Sequence, residues 1–298
     1  MELQIDHLGY TYHPGTTFER KALDDICLTI GSGEFIGMIG HTGSGKSTLV
    51  QHMNGLIKAT EGRIFVDGTN IYEDGYPIRE LRCRVGLVFQ YPEYQLFDTT
   101  VLSDVCFGPK NKGLSGEEAK EKAREAMRAV GLDESYEMRS PFELSGGQKR
   151  RAAIAGILAM DPELLVLDEP TAGMDPEGRD EILHLLKKLH EERGISIVLV
   201  SHSMEDVANY VSRIVVLDQG KVLWDDIPSR VFVHVEELEK IGLAAPQVSY
   251  VMAKLAQTGW DVDPSVTTID AAAEQICKVW VTVQDNLKQV ADGVWKRN

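Results

Sequence analysis

One glycine-rich run and a few acidic, amide and imidazole side chains carry the chemistry open to this sequence. The run is Gly40-His41-Thr42-Gly43-Ser44-Gly45-Lys46-Ser47-Thr48. An apolar stretch over residues 34–39 precedes it and reads as a buried strand; Leu49 to Met53 follow at helical spacing. Glycines let a backbone curl until successive N–H groups converge on a polyphosphate. The helix that follows adds the partial positive charge of its N-terminus, Lys46 can reach terminal phosphates, and the Ser47 hydroxyl suits Mg²⁺. Strand, glycine turn and helix in that order point to a nucleoside triphosphate ligand. Alone, they admit a kinase, a GTPase, a helicase or a transport ATPase.

Two later segments narrow that choice. Leu164 to Leu167 is an all-apolar strand that ends on Asp168-Glu169. There Asp168 is suited to hold Mg²⁺ through water, and Glu169 to polarise a water that attacks the γ-phosphate. Leu144-Ser145-Gly146-Gly147-Gln148 is a second glycine turn opening a second helix. The Ser145 hydroxyl and the N–H groups of Gly146 and Gly147 can grip another phosphate there.

The elements that must position these groups form an α/β pattern. Strands are expected over residues 3–12, 22–30, 62–68, 84–90, 164–167, 195–200 and 213–218. Helices are expected from the Ser115 cap to about Val130, from Gln148 to Met160, and from Glu177 to Arg193 before Gly194. Alternating strands and helices imply a mostly parallel sheet with ligands at its strand C-termini. The pattern turns helical after Ile227-Pro228. A length of 298 residues accommodates one large domain and a small one.

Hydrophobic content of 43% and a mean hydropathy of −0.17 fit a soluble globular protein. The longest apolar runs are of strand length, far short of a membrane span. No secretory signal is expected, because the N-terminus lacks a basic region followed by an apolar core. A formal net charge of −15 argues against nucleic acid as the main partner. Cys27, Cys83, Cys106 and Cys277 form no C-x-x-C pair and are expected as buried reduced thiols.

Taken together, the phosphate loop, the Leu-Ser-Gly-Gly-Gln turn and the Asp-Glu strand end resemble the nucleotide-binding subunits of ABC transporters, over roughly residues 2 to 225. The resemblance implies a P-loop NTPase fold of the ABC ATPase type over residues 1–227, with a helical signature subdomain at about 91–162 and a small, mainly helical domain at 228–298. It implies ATP and Mg²⁺ as ligands. By position, Tyr12 matches the aromatic that stacks on adenine, and Gly40 to Thr48 match the phosphate loop. Gln90 matches the glutamine that meets Mg²⁺ and the attacking water and senses the membrane partner. Asp175 matches the D-loop aspartate and His202 the switch histidine at the γ-phosphate. Catalysis then falls to Glu169, His202 and Gln90, and Mg²⁺ to Ser47, Gln90 and Asp168. In that family two such domains close head to tail, with ATP between the phosphate loop of one and the Ser145–Gln148 turn of the other, so a chain with one copy of each needs a second chain.

A closer similarity is to the energy-coupling factor (ECF) transporter ATPases. It rests on Gln90-Tyr91-Pro92-Glu93-Tyr94-Gln95-Leu96-Phe97, Gly40 to Lys46, Gln51 to Leu56 and Arg139 to Leu144. The insertion around Pro14 to Glu19 is similar to the second of the two ATPase paralogues, favouring a paralogue over an identical copy as the second chain. The resemblance implies an integral-membrane coupling protein and a substrate-binding membrane subunit as further partners. It also implies uptake of a vitamin or transition-metal ion, and a peripheral place at the cytoplasmic face of the cell membrane. The domain after Pro228, where Leu238 to Pro246 is the most similar piece, would support pairing. Tyr91, Pro92, Tyr94, Leu96 and Phe97 could line a groove for a helix of the membrane subunit, or pack the helical subdomain. A conventional ABC transporter subunit with another cargo is the alternative; an ABC-type ATPase acting on nucleic acid or the ribosome is more remote.

Overall fold

The structure, a computed structural model, describes residues 1–295. The last three residues of the expected C-terminal domain, 296–298, lie outside the described residues. The chain falls into two compact units, Met1–His202 with Ser212–Asp225, and Ser203–Val211 with the chain from Asp226 onward.

The strands in chain order are β1 (Leu3–Tyr12), β2 (Arg20–Ile30), β3 (Phe35–Ile39), β4 (Glu61–Val66), β5 (Thr69–Asn70), β6 (Val85–Val88), β7 (Leu164–Asp168), β8 (Ser196–Val200), β9 (Arg213–Asp218) and β10 (Lys221–Asp226). β2, β1, β4 and β5 form an antiparallel sheet in that order. The second sheet runs β10-β9-β3-β8-β7-β6, and its pairs from β9 to β6 are parallel. β3, β7 and β8 are buried at every residue. Apolar character on both faces is what a covered parallel strand needs, and it explains their unbroken apolar sequence.

One core joins the sheets. Leu49, Val50 and Met53 of the helix Lys46–Met53 share a cluster with Leu3, Ile5 and Leu8 of β1 and with Met38, Val166, Val198 and Val215 of the parallel sheet. Each such side chain contributes about 1.5–3 kcal/mol on full burial. The glycine-rich loop between β3 and this helix is therefore anchored at both ends.

The helix Gly116–Ala129 has a reciprocal cap between Ser115 and Glu118, and it buries Ala119, Ala123, Ala126 and Met127 on one face. With Val101–Val105, Phe107–Asn111 and Gly146–Leu158 it makes up a helical region inserted between β6 and β7.

Several boundaries differ from the sequence reading. Arg84 closes a short helix, Ile78–Arg84, and the strand spans Val85–Val88, so Gln90 lies two residues beyond its end. The helix expected from Gln148 starts at Gly146, because the Ser145 cap recruits both glycines into its first turn. β10 and the helix Met204–Tyr210 are additional. Only Cys106 is a buried thiol; Cys83 is half-buried, while Cys27 and Cys277 are exposed.

The second unit holds Met204–Tyr210, Pro228–Val231, Val235–Lys240, Gln247–Gln257 and Ile269–Trp295. Val231, Phe232, Leu238, Leu243, Met252 and Ala272 are buried. Among the described residues no helix is long and apolar enough to cross a membrane.

Candidate functional site

The parallel sheet orders the site. β3, β8, β7 and β6 lie side by side, and the chain leaves their C-terminal ends through the glycine loop, His202, Asp168-Glu169 and Gln90 respectively.

In the loop, Gly45 has φ +108, and a Cβ there would lie 2.7 Å from the Ala22 carbonyl oxygen and 2.9 Å from Leu23 Cδ2. Only glycine fits this turn. The Leu49 N–H donates to the Gly45 carbonyl at 2.8 Å, starting the helix. The Lys46 ammonium curls back over the loop, donating to the carbonyls of Gly40 at 2.7 Å and His41 at 3.0 Å. Burial pushes its pKa down, against the pull of the Glu169 and Asp168 carboxylates. The His41 ring is committed elsewhere, with Nε2 3.0 Å from Asp218 Oδ1 at the end of β9, so this residue offers the loop its backbone.

Glu169 is the point of convergence. Its backbone is left-handed (φ +51), and its N–H donates to the Val200 carbonyl on the neighbouring β8 at 3.0 Å. That conformation is uncommon away from glycine, and the hydrogen bond to β8 holds it. The side chain is gripped at both oxygens. His202 Nε2 lies 2.6 Å from Oε1, and Gln90 Nε2 donates to Oε2 at 3.0 Å. The three residues expected to act in catalysis thus meet at one carboxylate.

A cavity of about 420 Å³ is lined by Tyr12, Lys46, Ser47, Gln90, Glu169 and His202 among others. Tyr12 stands at one end, its hydroxyl 3.2 Å from Thr48 Oγ1 and its ring edge-on to Tyr10 at 4.8 Å. Asp168 is buried at the end of β7. The donor set fits ATP with Mg²⁺: one cation, loop N–H groups, hydroxyls and hard carboxylate oxygens. Buried Ser44 Oγ has no hydrogen-bond partner among the described residues, as a group waiting for a polar ligand would.

Sequence reasoning missed Arg20. It lines the same cavity and donates from Nη2 to the Gly43 carbonyl at 3.3 Å. No motif marks it, since it reaches the loop only through the placement of β2.

The structure does not bring Ser145, Gly146, Gly147, Gln148 or Asp175 to this cavity. Ser145 Oγ accepts from the Gln148 N–H at 3.3 Å, and the Ser145 N–H donates to Gln148 Oε1 at 3.0 Å. Asp175 Oδ1 accepts from the Gly178 N–H at 2.8 Å and caps the helix Pro176–Arg193. A Cβ on Gly146 or Gly147 would meet nothing within 4 Å, and neither has a positive φ. Nothing within the chain therefore demands glycine there.

The ABC transporter family model matches residues 23–172. The chain is 54% identical over 281 residues to the energy-coupling factor transporter ATP-binding protein EcfA2 of Clostridium tetani, an alignment covering 94% of this chain and 98% of that protein. Among solved structures it is similar to cbiO1 of Clostridium perfringens, described as part of the ABC transporter complex cbiONQ, with a TM-score of 0.71 at 38% identity over 84% of this chain and 98% of the other. It is also similar to the ATP-binding cassette MJ0796, a dimer in a post-hydrolysis state bound to ADP and phosphate, with a TM-score of 0.67 at 33% identity over 76% of this chain and 98% of that one.

Proposed function

The chain belongs to the ABC transporter family, among its energy-coupling factor ATP-binding proteins, and from that premise we propose how its residues divide the work. It is the ATP-binding and ATP-hydrolysing subunit of an ECF-type importer. The phosphates of ATP lie along Gly40–Thr48, where loop N–H groups and Lys46 hold their charge and Tyr12 stacks on adenine. Ser47, Gln90 and Asp168 would hold Mg²⁺, which when bound neutralises charge on the phosphate oxygens. Glu169 accepts the proton of the attacking water at its carboxylate. His202 and Gln90 orient that carboxylate, and His202 contacts the γ-phosphate.

The convergence of Gln90 and His202 on the two oxygens of Glu169, beside the glycine loop, carries this reading. The Ser145–Gln148 turn acts on the nucleotide of a second ATPase chain, a paralogue. In its support, Gly146 and Gly147 have open space where a Cβ would go, so a ligand outside the chain can approach them. Residues 1–227 make up the nucleotide-binding domain, with its helical subdomain at about 91–162, and 228–298 make up a pairing domain.

The membrane coupling protein docks on the helical region. Tyr91, Tyr94, Phe97 and Phe107 are 40–84% exposed, and Phe97 packs edge-on against Phe107 at 5.0 Å. Phe97 and Phe107 line a cleft of about 630 Å³ together with Leu96, Ile157, Arg79 and Arg82. Exposed aromatics beside an apolar cleft fit an incoming amphipathic helix. Pro92 and Leu96 are buried, unlike these four rings. A separate membrane subunit selects the cargo, a vitamin or transition-metal ion, and the membrane partners together hold this chain at the cytoplasmic face.

The test is ATP turnover by the purified ATPase pair alone and then with detergent-extracted membrane partners. Turnover that rises on adding the partners supports the coupled ATPase. Strong turnover indifferent to them and stimulated by nucleic acid would overturn it.

A further inference from the structure

The helix that Ser145 caps carries a charge that the hydrolysis chemistry above leaves unused. Arg150 is only 3% exposed. Its guanidinium grips the Glu93 carboxylate in fork geometry, Nη2 to Oε1 at 2.8 Å and Nε to Oε2 at 3.1 Å. The remaining arm, Nη1, donates to the Ala172 carbonyl at 3.1 Å. A buried guanidinium held at three points in one plane fixes its partners in direction as well as distance.

The partners give the contact its meaning. Glu93 lies three residues after Gln90, in the short 3₁₀ turn Pro92–Gln95, and is flanked in sequence by the exposed Tyr91 and Tyr94. Ala172 lies three residues after Glu169 and closes that turn, its N–H donating to the Glu169 carbonyl at 3.1 Å. One side chain therefore grips both segments whose leading residues, Gln90 and Glu169, bond each other at 3.0 Å. It does so from the first turns of the helix Gly146–Leu158, five residues after Ser145.

We propose that Arg150 is a positioning residue that sets the spacing of Gln90 and Glu169 and ties it to the exposed aromatic turn and to the Ser145 helix. A membrane partner pressing on Tyr91 and Tyr94 moves Glu93, and Arg150 carries that movement to the turn behind Glu169 and to the Ser145–Gln148 turn. This deepens the hydrolysis reading and rests on it. Water activation tolerates little displacement, since an error of about 1 Å at a reacting group costs about a hundredfold in rate.

A role as a mere fold staple makes a different prediction. Replacing a buried ion pair by well-packed apolar residues often preserves stability. The experiment therefore uses the double variant Glu93→Leu with Arg150→Met, alongside the single variants Arg150→Lys and Glu93→Gln, in the full assembly with the second ATPase chain and membrane partners. Thermal midpoint, bound ATP per complex, KM and kcat are measured with and without the membrane partners.

We expect the double variant to keep its ATP stoichiometry, and its KM within about twofold, while kcat falls at least about tenfold and stimulation by the membrane partners is lost. Arg150→Lys keeps the charge without the fork and shifts kcat in the same direction; with Glu93→Gln it decides the matter should the double variant misfold. A kcat within about twofold of wild type in the folded variants overturns the proposal. So does a fall in kcat matched by an equal fall in bound ATP. A wild-type assembly with no ATP turnover would instead overturn the hydrolysis reading, and this inference with it.

Discussion

Replacing Gly147 with alanine separates what the chain needs for itself from what it offers a partner. Gly147 sits in the first turn of the helix Gly146–Leu158, has no positive φ, and would place an added Cβ in open space with nothing within 4 Å. Alanine at such a position restricts the unfolded chain and stabilises by about 0.4–1 kcal/mol. For a domain of this size that raises the unfolding midpoint by about one to four degrees. Judged by its own chain, the substitution is neutral to favourable. Judged by the head-to-tail pair, a methyl group stands where the N–H groups of Gly146 and Gly147 meet a phosphate. Losing one charge-assisted hydrogen bond costs about 1.5–3 kcal/mol, which is roughly a ten- to hundredfold fall in turnover. Calorimetry of the Gly147→Ala chain and steady-state ATP turnover of the assembled pair read the two effects separately. A stabilised variant with undiminished turnover would refute the claim that this turn acts on a nucleotide across the interface.

Two further outcomes follow from the same geometry. Gly45→Ala should abolish ATP binding and destabilise the protein by about 1–3 kcal/mol, because φ is +108 and the Ala22 carbonyl stands 2.7 Å from the new Cβ; equilibrium binding of a fluorescent ATP analogue and thermal melting check both. Arg84 lies between Asp67 and Glu163 and holds both carboxyls below their ordinary values of 3.8 and 4.5. Depressed carboxyl pKa values stabilise the fold above the ordinary values, and that stability is lost as the pH falls through the folded-state ones. The stability gap between wild type and Arg84→Met should therefore be full at about pH 6 and close below about pH 4, and with both carboxylates partly exposed it should not exceed about 1 kcal/mol. Denaturant melts across that range measure it.

What could be read from the sequence was what lies contiguous in it. The glycine loop, the Asp168-Glu169 strand end and the Ser145 cap each carry their geometry within a few residues. The helix Gly116–Ala129 was legible for the same reason, since its Ser115–Glu118 cap and alanine spacing are local. Gln90 shows the limit of such reading. Apolar residues run to Phe89, yet strand pairing stops at Val88 and Tyr91 turns left-handed (φ +55), so the loop begins earlier than hydropathy implies. Arg20 and Arg150 carry no local signal at all, because their partners lie 23, 57 and 22 residues away. The exposed Cys27 was readable and missed. It alternates with Ile26 and Leu28, both buried, and so must face outward.

Whether Glu169 takes the proton from water is tested most directly by Glu169→Gln in the assembled complex. Glutamine keeps the shape of the side chain but cannot accept that proton as a base. With Glu169 as the base, the variant binds ATP with wild-type affinity to within a few-fold, while single-turnover release of phosphate slows by at least about a hundredfold. Phosphate released at the wild-type rate by the glutamine variant would contradict that role and place the base elsewhere.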